Sequence, residues 1–156
     1  THFPAGQRAE LIDGQIYNMA PPSYLHQRLV MELPQQSEII SNPTKDFAGF
    51  AAPFAVFLNQ DDRNYVEPDI SVICDHRKLT DRGCSGAPDL MIEVVSALQQ
   101  PDGYIIKLNL YMAAGVREYW IVDPLRQRTI VYRLESGDAP TIFAFSQRFL
   151  SVFPGS

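Results

Sequence analysis

A carboxylate stands inside an otherwise apolar run, Leu90-Met91-Ile92-Glu93-Val94-Val95. An ionised carboxylate is costly to bury alone, so Glu93 needs a cation, a hydrogen-bonded partner or a proton. A second carboxylate, Asp69, follows Glu67-Pro68, and a proline there favours the start or edge of a strand. If the two strands are neighbours, Asp69 and Glu93 converge on one hard cation. Mg²⁺ suits such a pair, because it takes a few carboxylate oxygens and completes its shell with water and phosphate oxygens. Lys107 is the third candidate. It lies four residues before Tyr111, a spacing that puts both on one helix face. Its side chain is long enough to return over a strand end and orient a water or stabilise phosphate charge. Each residue also has a plainer reading. Glu93 can sit in an ion pair or at a strand end open to water, Asp69 can cap a turn, and Lys107 can be a solvated helix lysine. The chemical reading rests on the three together.

These residues need elements to position them. Arg8 to Met19 reads as a hairpin, with Asp13-Gly14 supplying the positive φ values of a type I′ turn. Ser23 is a candidate N-cap, and Leu25, Leu29, Val30 and Leu33 follow at helical spacing; Pro34 predicts a kink or an early end. Residues 47–58 read as extended, with a break at Pro53, and residues 59–64 as a turn. A strand is expected over 69–74. Residues 75–87, polar with two glycines, read as a surface loop. The run 90–95 suits a strand buried on both faces. Residues 105–114 read as a helix closed by Gly115 at its C′ position, and residues 118–122 as a strand ended by Asp123-Pro124. Segments 129–134 and 141–145 read as closing strands. The passage from strand 90–95 through the helix to strand 118–122 is a parallel βαβ crossover. This order predicts an α/β fold around a mixed sheet.

Composition narrows the setting. The 156 residues suit one domain with a sizeable core. No apolar run approaches the ~20 residues that span a bilayer, and the first ten residues lack a signal-peptide pattern. Cys74 and Cys84 form no CxxC or Cys/His cluster, so neither a disulfide framework nor a structural zinc is expected. A cytoplasmic protein is the default expectation. The net charge of -5 and pI of about 5.1 sit awkwardly with gripping phosphates. Net charge says little about local charge, though, and carboxylates that hold a cation lower the pI themselves.

The motifs Pro68-Asp69-Ile70, Pro88-Asp89-Leu90-Met91-Ile92-Glu93-Val94-Val95-Ser96, Lys107 with Tyr111, and Gly115-Val116-Arg117-Glu118-Tyr119-Trp120-Ile121-Val122-Asp123-Pro124 together resemble the Uma family of restriction endonuclease-like proteins. The opening Glu10-Leu11-Ile12-Asp13-Gly14, and Pro22-Ser23 followed by His26, match as well. The resemblance covers nearly the whole chain. That family is similar to the PD-(D/E)xK nuclease superfamily. The resemblance implies a single restriction endonuclease-like domain over 1–156, with a central mixed sheet flanked by helices and an N-terminal β-hairpin. It also implies Mg²⁺-dependent, or Mn²⁺-dependent, cleavage of phosphodiester bonds, with DNA as the partner. By position, Asp69 and Glu93 hold the metal and the Val94 carbonyl completes the protein ligands. Val95 stands where the motif's lysine is usual, and Lys107 is its migrated replacement. The first helix adds His26 or Glu32 near the site. Two places depart from the family pattern: Ser96-Ala97-Leu98 stands for Ser-Pro-Ser, and Gly103, beside Asp102, for an aspartate four residues before the lysine.

Two other functions compete with the nuclease. One is a non-catalytic nucleic-acid or protein-binding module that keeps the fold, which the acidic pI favours. The other is a metal-dependent hydrolase of a small phosphorylated substrate. Arg126, Arg128, Arg133 and Arg148 either form a basic face or are scattered surface arginines, and scattering is the commoner case. The apolar stretches 47–58 and 143–153 exceed what one small sheet must bury, which makes a homodimer interface an expectation.

Overall fold

The computed structural model describes residues 7–36, 46–96 and 102–145. Its centre is a six-stranded sheet in the order β11-β10-β9-β8-β5-β3. The strands are β3 (Ala48–Ala51), β5 (Ile70–Ile73), β8 (Leu90–Val94), β9 (Glu118–Asp123), β10 (Arg128–Arg133) and β11 (Thr141–Ala144). β8 and β9 pair in parallel, and every other pairing in the sheet is antiparallel. The helix α2 (Asp102–Ala114) lies between β8 and β9 in sequence, as the crossover reading expected. α2 starts three residues earlier than periodicity suggested.

Alternation along the strands sorts side chains onto two faces. Leu90, Ile92, Val94, Trp120, Val122 and Val131 pack on one face with Val30 of α1 (Tyr24–Gln36). Met91, Tyr119 and Ile121 pack on the other with Leu110 and Tyr111 of α2. The sheet is thus covered by a helix on each face. Each of the large side chains buried there contributes about 1.5–3 kcal/mol.

Local signals account for the element ends. Ser23 Oγ accepts the amide of His26 at 3.2 Å and caps α1. The helix includes Pro34 and is described as far as Gln36, and residues 37–45 beyond it lie outside the described residues. α2 closes on Gly115, whose φ of 92° only glycine adopts freely. There the Val116 amide reaches the Tyr111 carbonyl and the Gly115 amide reaches that of Met112, a Schellman cap.

Two smaller sheets flank the main one. The hairpin pairs β1 (Ala9–Ile12) with β2 (Gln15–Asn18) around Asp13-Gly14, both at positive φ. It docks through reciprocal main-chain bonds between Leu11 and Tyr65 of 2.7 and 2.8 Å. The other sheet joins β4 (Val56–Phe57), β7 (Gly83–Ser85) and β6 (Leu79–Thr80). Residues 75–87 are therefore more than a surface loop. They hold a short 3₁₀ turn, His76–Lys78, and two strands, of which β7 pairs with residues 56–57 and β6 pairs with β7. The apolar stretch 47–58 is largely used within the chain. Val56 and Leu58 are buried, and Phe50 and Phe54 stack at 4.3 Å against the core. Of the second stretch, residues 146–153 lie outside the described residues, as does Arg148, while Phe143 packs on the α1 face of the sheet.

Candidate active site

β5 and β8 run antiparallel with Ile70 opposite Ile92. Asp69 immediately precedes β5 and Glu93 follows Ile92 on β8, so the two acids stand at adjoining strand ends. The Asp69 carboxylate turns onto the end of β8. Its Oδ2 accepts the Val94 amide at 2.7 Å and meets His26 Nε2 at 3.1 Å. Among the described residues, the second ring nitrogen of His26 is buried and has no hydrogen-bond partner. Both acids open onto a cavity of about 390 Å³, whose walls include Glu10, His26, Glu67, Asp69, Glu93 and Lys107.

Glu93 is 4% exposed and faces α2. Lys107 Nζ donates to its two oxygens at 2.8 and 3.0 Å, and the Tyr111 hydroxyl donates at 2.9 Å. The four-residue spacing of Lys107 and Tyr111 thus delivers two donors to one carboxylate. Lys107 itself is 5% exposed. Helix α2 inverts the usual arrangement here, because it buries a lysine while Ile105 and Met112 face outward. The ammonium has a second partner that sequence reasoning missed: Glu10 Oε2, at 2.8 Å. Glu10 Oε1 accepts the Glu67 amide at 3.0 Å, and Glu67 is held by Arg8 at 2.6 Å. One signal for Glu10 was available. In a hairpin it shares a face with Ile12, which is apolar and buried.

Electrostatics follow from this geometry. Burial pushes Glu93 up to about 7, with Lys107 opposing and Glu10 and Asp69 adding to the rise. For Lys107, burial alone would favour the neutral amine, but Glu93 and Glu10 outweigh it and raise the pKa. Lys107 is therefore a charged ammonium. Glu10 and Glu93 meet this ammonium, and Asp69 lines the same cavity, so the site is rich in carboxylate oxygen. The carboxylates at the cavity present oxygen donors, the type a hard cation takes. Among the described residues no three His, Cys, Asp or Glu side chains are grouped closely enough to hold a metal by themselves. Main-chain oxygen or water would have to complete its shell.

The expected site residues divide as follows. Asp69, Glu93, Val94 and Lys107 line one cavity, and His26 joins them. Glu32 does not: it pairs with Arg28 on the exposed side of α1 at 2.7 Å. Gly103 and Asp102 line the cavity, whereas residues 97–101 lie outside the described ones. Arg126 and Arg128 both approach Asp123, at 3.0 and 4.0 Å, and Arg133 donates to Thr141.

A mixed sheet covered on both faces by helices, with carboxylates on adjoining strand ends, defines a restriction endonuclease-like fold. The sequence profile of the Uma2 family, described as "Putative restriction endonuclease", matches residues 2–154, and the chain belongs to that family. Among solved structures, the chain is similar to one from Anabaena variabilis, described as "a putative nuclease belonging to DUF820". The two share 21% identity at a TM-score of 0.74, over 92% of this chain and 80% of that one. Among curated proteins no relative matches. No helix among the described residues is long and apolar enough to cross a membrane.

Proposed function

We propose that the protein is a metal-dependent endonuclease that hydrolyses phosphodiester bonds of DNA. The observation that carries this reading is the convergence of Asp69, Glu93 and Lys107 on one cavity wall, with Asp69 tied to β8 through the Val94 amide. In this reading Asp69, Glu93 and the Val94 carbonyl hold Mg²⁺, which Mn²⁺ replaces. When bound, such an ion lowers the pKa of an attacking water and neutralises charge on the phosphate. The chain's own groups do the positioning. The Val94 amide and His26 fix the Asp69 carboxylate, while Tyr111 and Lys107 fix that of Glu93. Lys107 presents an ammonium to the cavity, where it orients the water or the phosphate.

The test is cleavage of plasmid and linear DNA with added Mg²⁺. Activity is expected to vanish with a chelator and return with Mg²⁺ or Mn²⁺. Wild-type cleavage that a chelator leaves untouched would sink the reading. The excess of carboxylates at the cavity supports a second reading, a binding module that keeps the fold without catalysis. A salt titration of DNA binding separates the two, because phosphate contacts weaken steeply as salt rises.

A further inference from the structure

Glu10 comes from the hairpin rather than the central sheet and has no part in the ligand set proposed above. It is nonetheless as buried as Lys107, each being 5% exposed. Its two oxygens have separate tasks: Oε1 is anchored by the Glu67 amide, and Oε2 meets Lys107. Lys107 is thus held between a carboxylate fixed to main chain and one that, in the metal-dependent reading, must take a cation.

A cation and an ammonium compete for the same lone pairs of Glu93. If Glu93 were the sole partner, loading it would strand a buried ammonium, and a buried charge deprived of its partner is strongly destabilising. Glu10 removes that conflict. We propose that Glu10 is a positioning residue: it retains Lys107 at the cavity wall while Glu93 turns to the cation. The hairpin then belongs to the site, because it carries the counter-charge that lets one carboxylate be shared. This inference rests on the metal-dependent reading.

The alternative is that Glu10 merely pins the hairpin, or acts on the cation directly through its charge. Calorimetric titration of the full chain with Mn²⁺, without DNA, separates these cases. The variants are Glu10→Gln, Lys107→Met and the double variant. If Glu10 acts through Lys107, Glu10→Gln weakens Mn²⁺ binding by about tenfold in the wild-type background and by less than about twofold beside Lys107→Met. Equal weakening in both backgrounds, or no weakening in either, overturns the role of Glu10 and leaves the metal reading standing. Failure of the wild type to bind Mn²⁺ overturns both.

Should Lys107→Met fail to fold, a crystal structure of the wild type soaked in Mn²⁺ decides. Lys107 Nζ within hydrogen-bond reach of Glu10 and released from at least one Glu93 oxygen supports the proposal. Lys107 still on both Glu93 oxygens, or turned away from Glu10, overturns it.

Discussion

Two buried glutamates on neighbouring strands have opposite surroundings. Glu93 on β8 faces α2 and opens onto the cavity, where an ammonium and a tyrosine hydroxyl meet it. Glu118 on β9 is wholly buried and shares the other face of the sheet with Trp120, whose indole N–H it accepts. Glu118 is not part of the cavity wall. Both sit in apolar strands, so a rule that a carboxylate in such a strand does chemistry would select both. What distinguishes Glu93 is access to a cavity, a lysine and a tyrosine hydroxyl on its oxygens, and a second acid, Asp69, at the adjoining strand end.

The strongest way to break this comparison is by activity. Asp69→Ala and Glu93→Gln are each expected to reduce cleavage on the order of 10³-fold, the scale of losing one group aimed at developing charge. Glu118→Gln is expected to leave cleavage unchanged. Loss of cleavage in a folded Glu118→Gln protein would erase the distinction.

Stability provides the next test. Lys107→Met leaves two buried carboxylates without their cation and is expected to cost about 3–5 kcal/mol by urea denaturation. Glu118→Gln keeps an acceptor for Trp120 and is expected to cost about 1 kcal/mol. A smaller loss for Lys107→Met than for Glu118→Gln would show that the ion cluster is not the more demanding site.

The smallest effect sharpens the same point with thiols. Burial pushes Cys74 up to about 12, with Asp89 adding to the rise, and pushes Cys84 up to about 11. A raised pKa means less thiolate at pH 8 and slower alkylation. Both thiols should react with iodoacetamide at least about tenfold more slowly in the native chain than in urea. Equal rates would show that burial does not suppress their ionisation.

Much of the fold was legible because its signals are local. Asp13-Gly14 forces a turn, Ser23 caps a helix, Gly115 ends one, and the run of β8 marks a strand with no wet face. The small sheet of β4, β7 and β6 was not legible, because strands of two or three residues are too short to show alternation. Asp69 and Glu93 were legible as a pair, since their juxtaposition needs only that their strands be neighbours. The burial of Lys107 was not, because the pattern of α2 taken alone would turn Ile105 and Met112 inward instead. Glu10 was quoted only within the opening motif, and its pairing was not legible because its partner lies 97 positions along the chain. Glu118 was quoted only within the family motif, because nothing in its strand separates a sealed acid from a reactive one.

The hairpin's attachment also has a consequence for populations. The links of the hairpin to the body include the Leu11–Tyr65 bonds, the Glu67 amide on Glu10, bonds of Asp13 and Gly14 to Arg63 and Asn64, the Arg8–Glu67 pair and the Glu10–Lys107 pair. So small a unit is a natural site of partial opening, short of global unfolding. Each such opening would take Glu10 away from Lys107, so the complete constellation would exist only in molecules whose hairpin is closed. Strain at a distance should then alter that fraction. Gly14 sits at a φ of 80°, and Gly14→Ala is expected to lower hydrogen-exchange protection at the Leu11 and Tyr65 amides while leaving the β8 amides unchanged. Unaltered protection at Leu11 and Tyr65 would mean that the hairpin opens only with the rest of the chain.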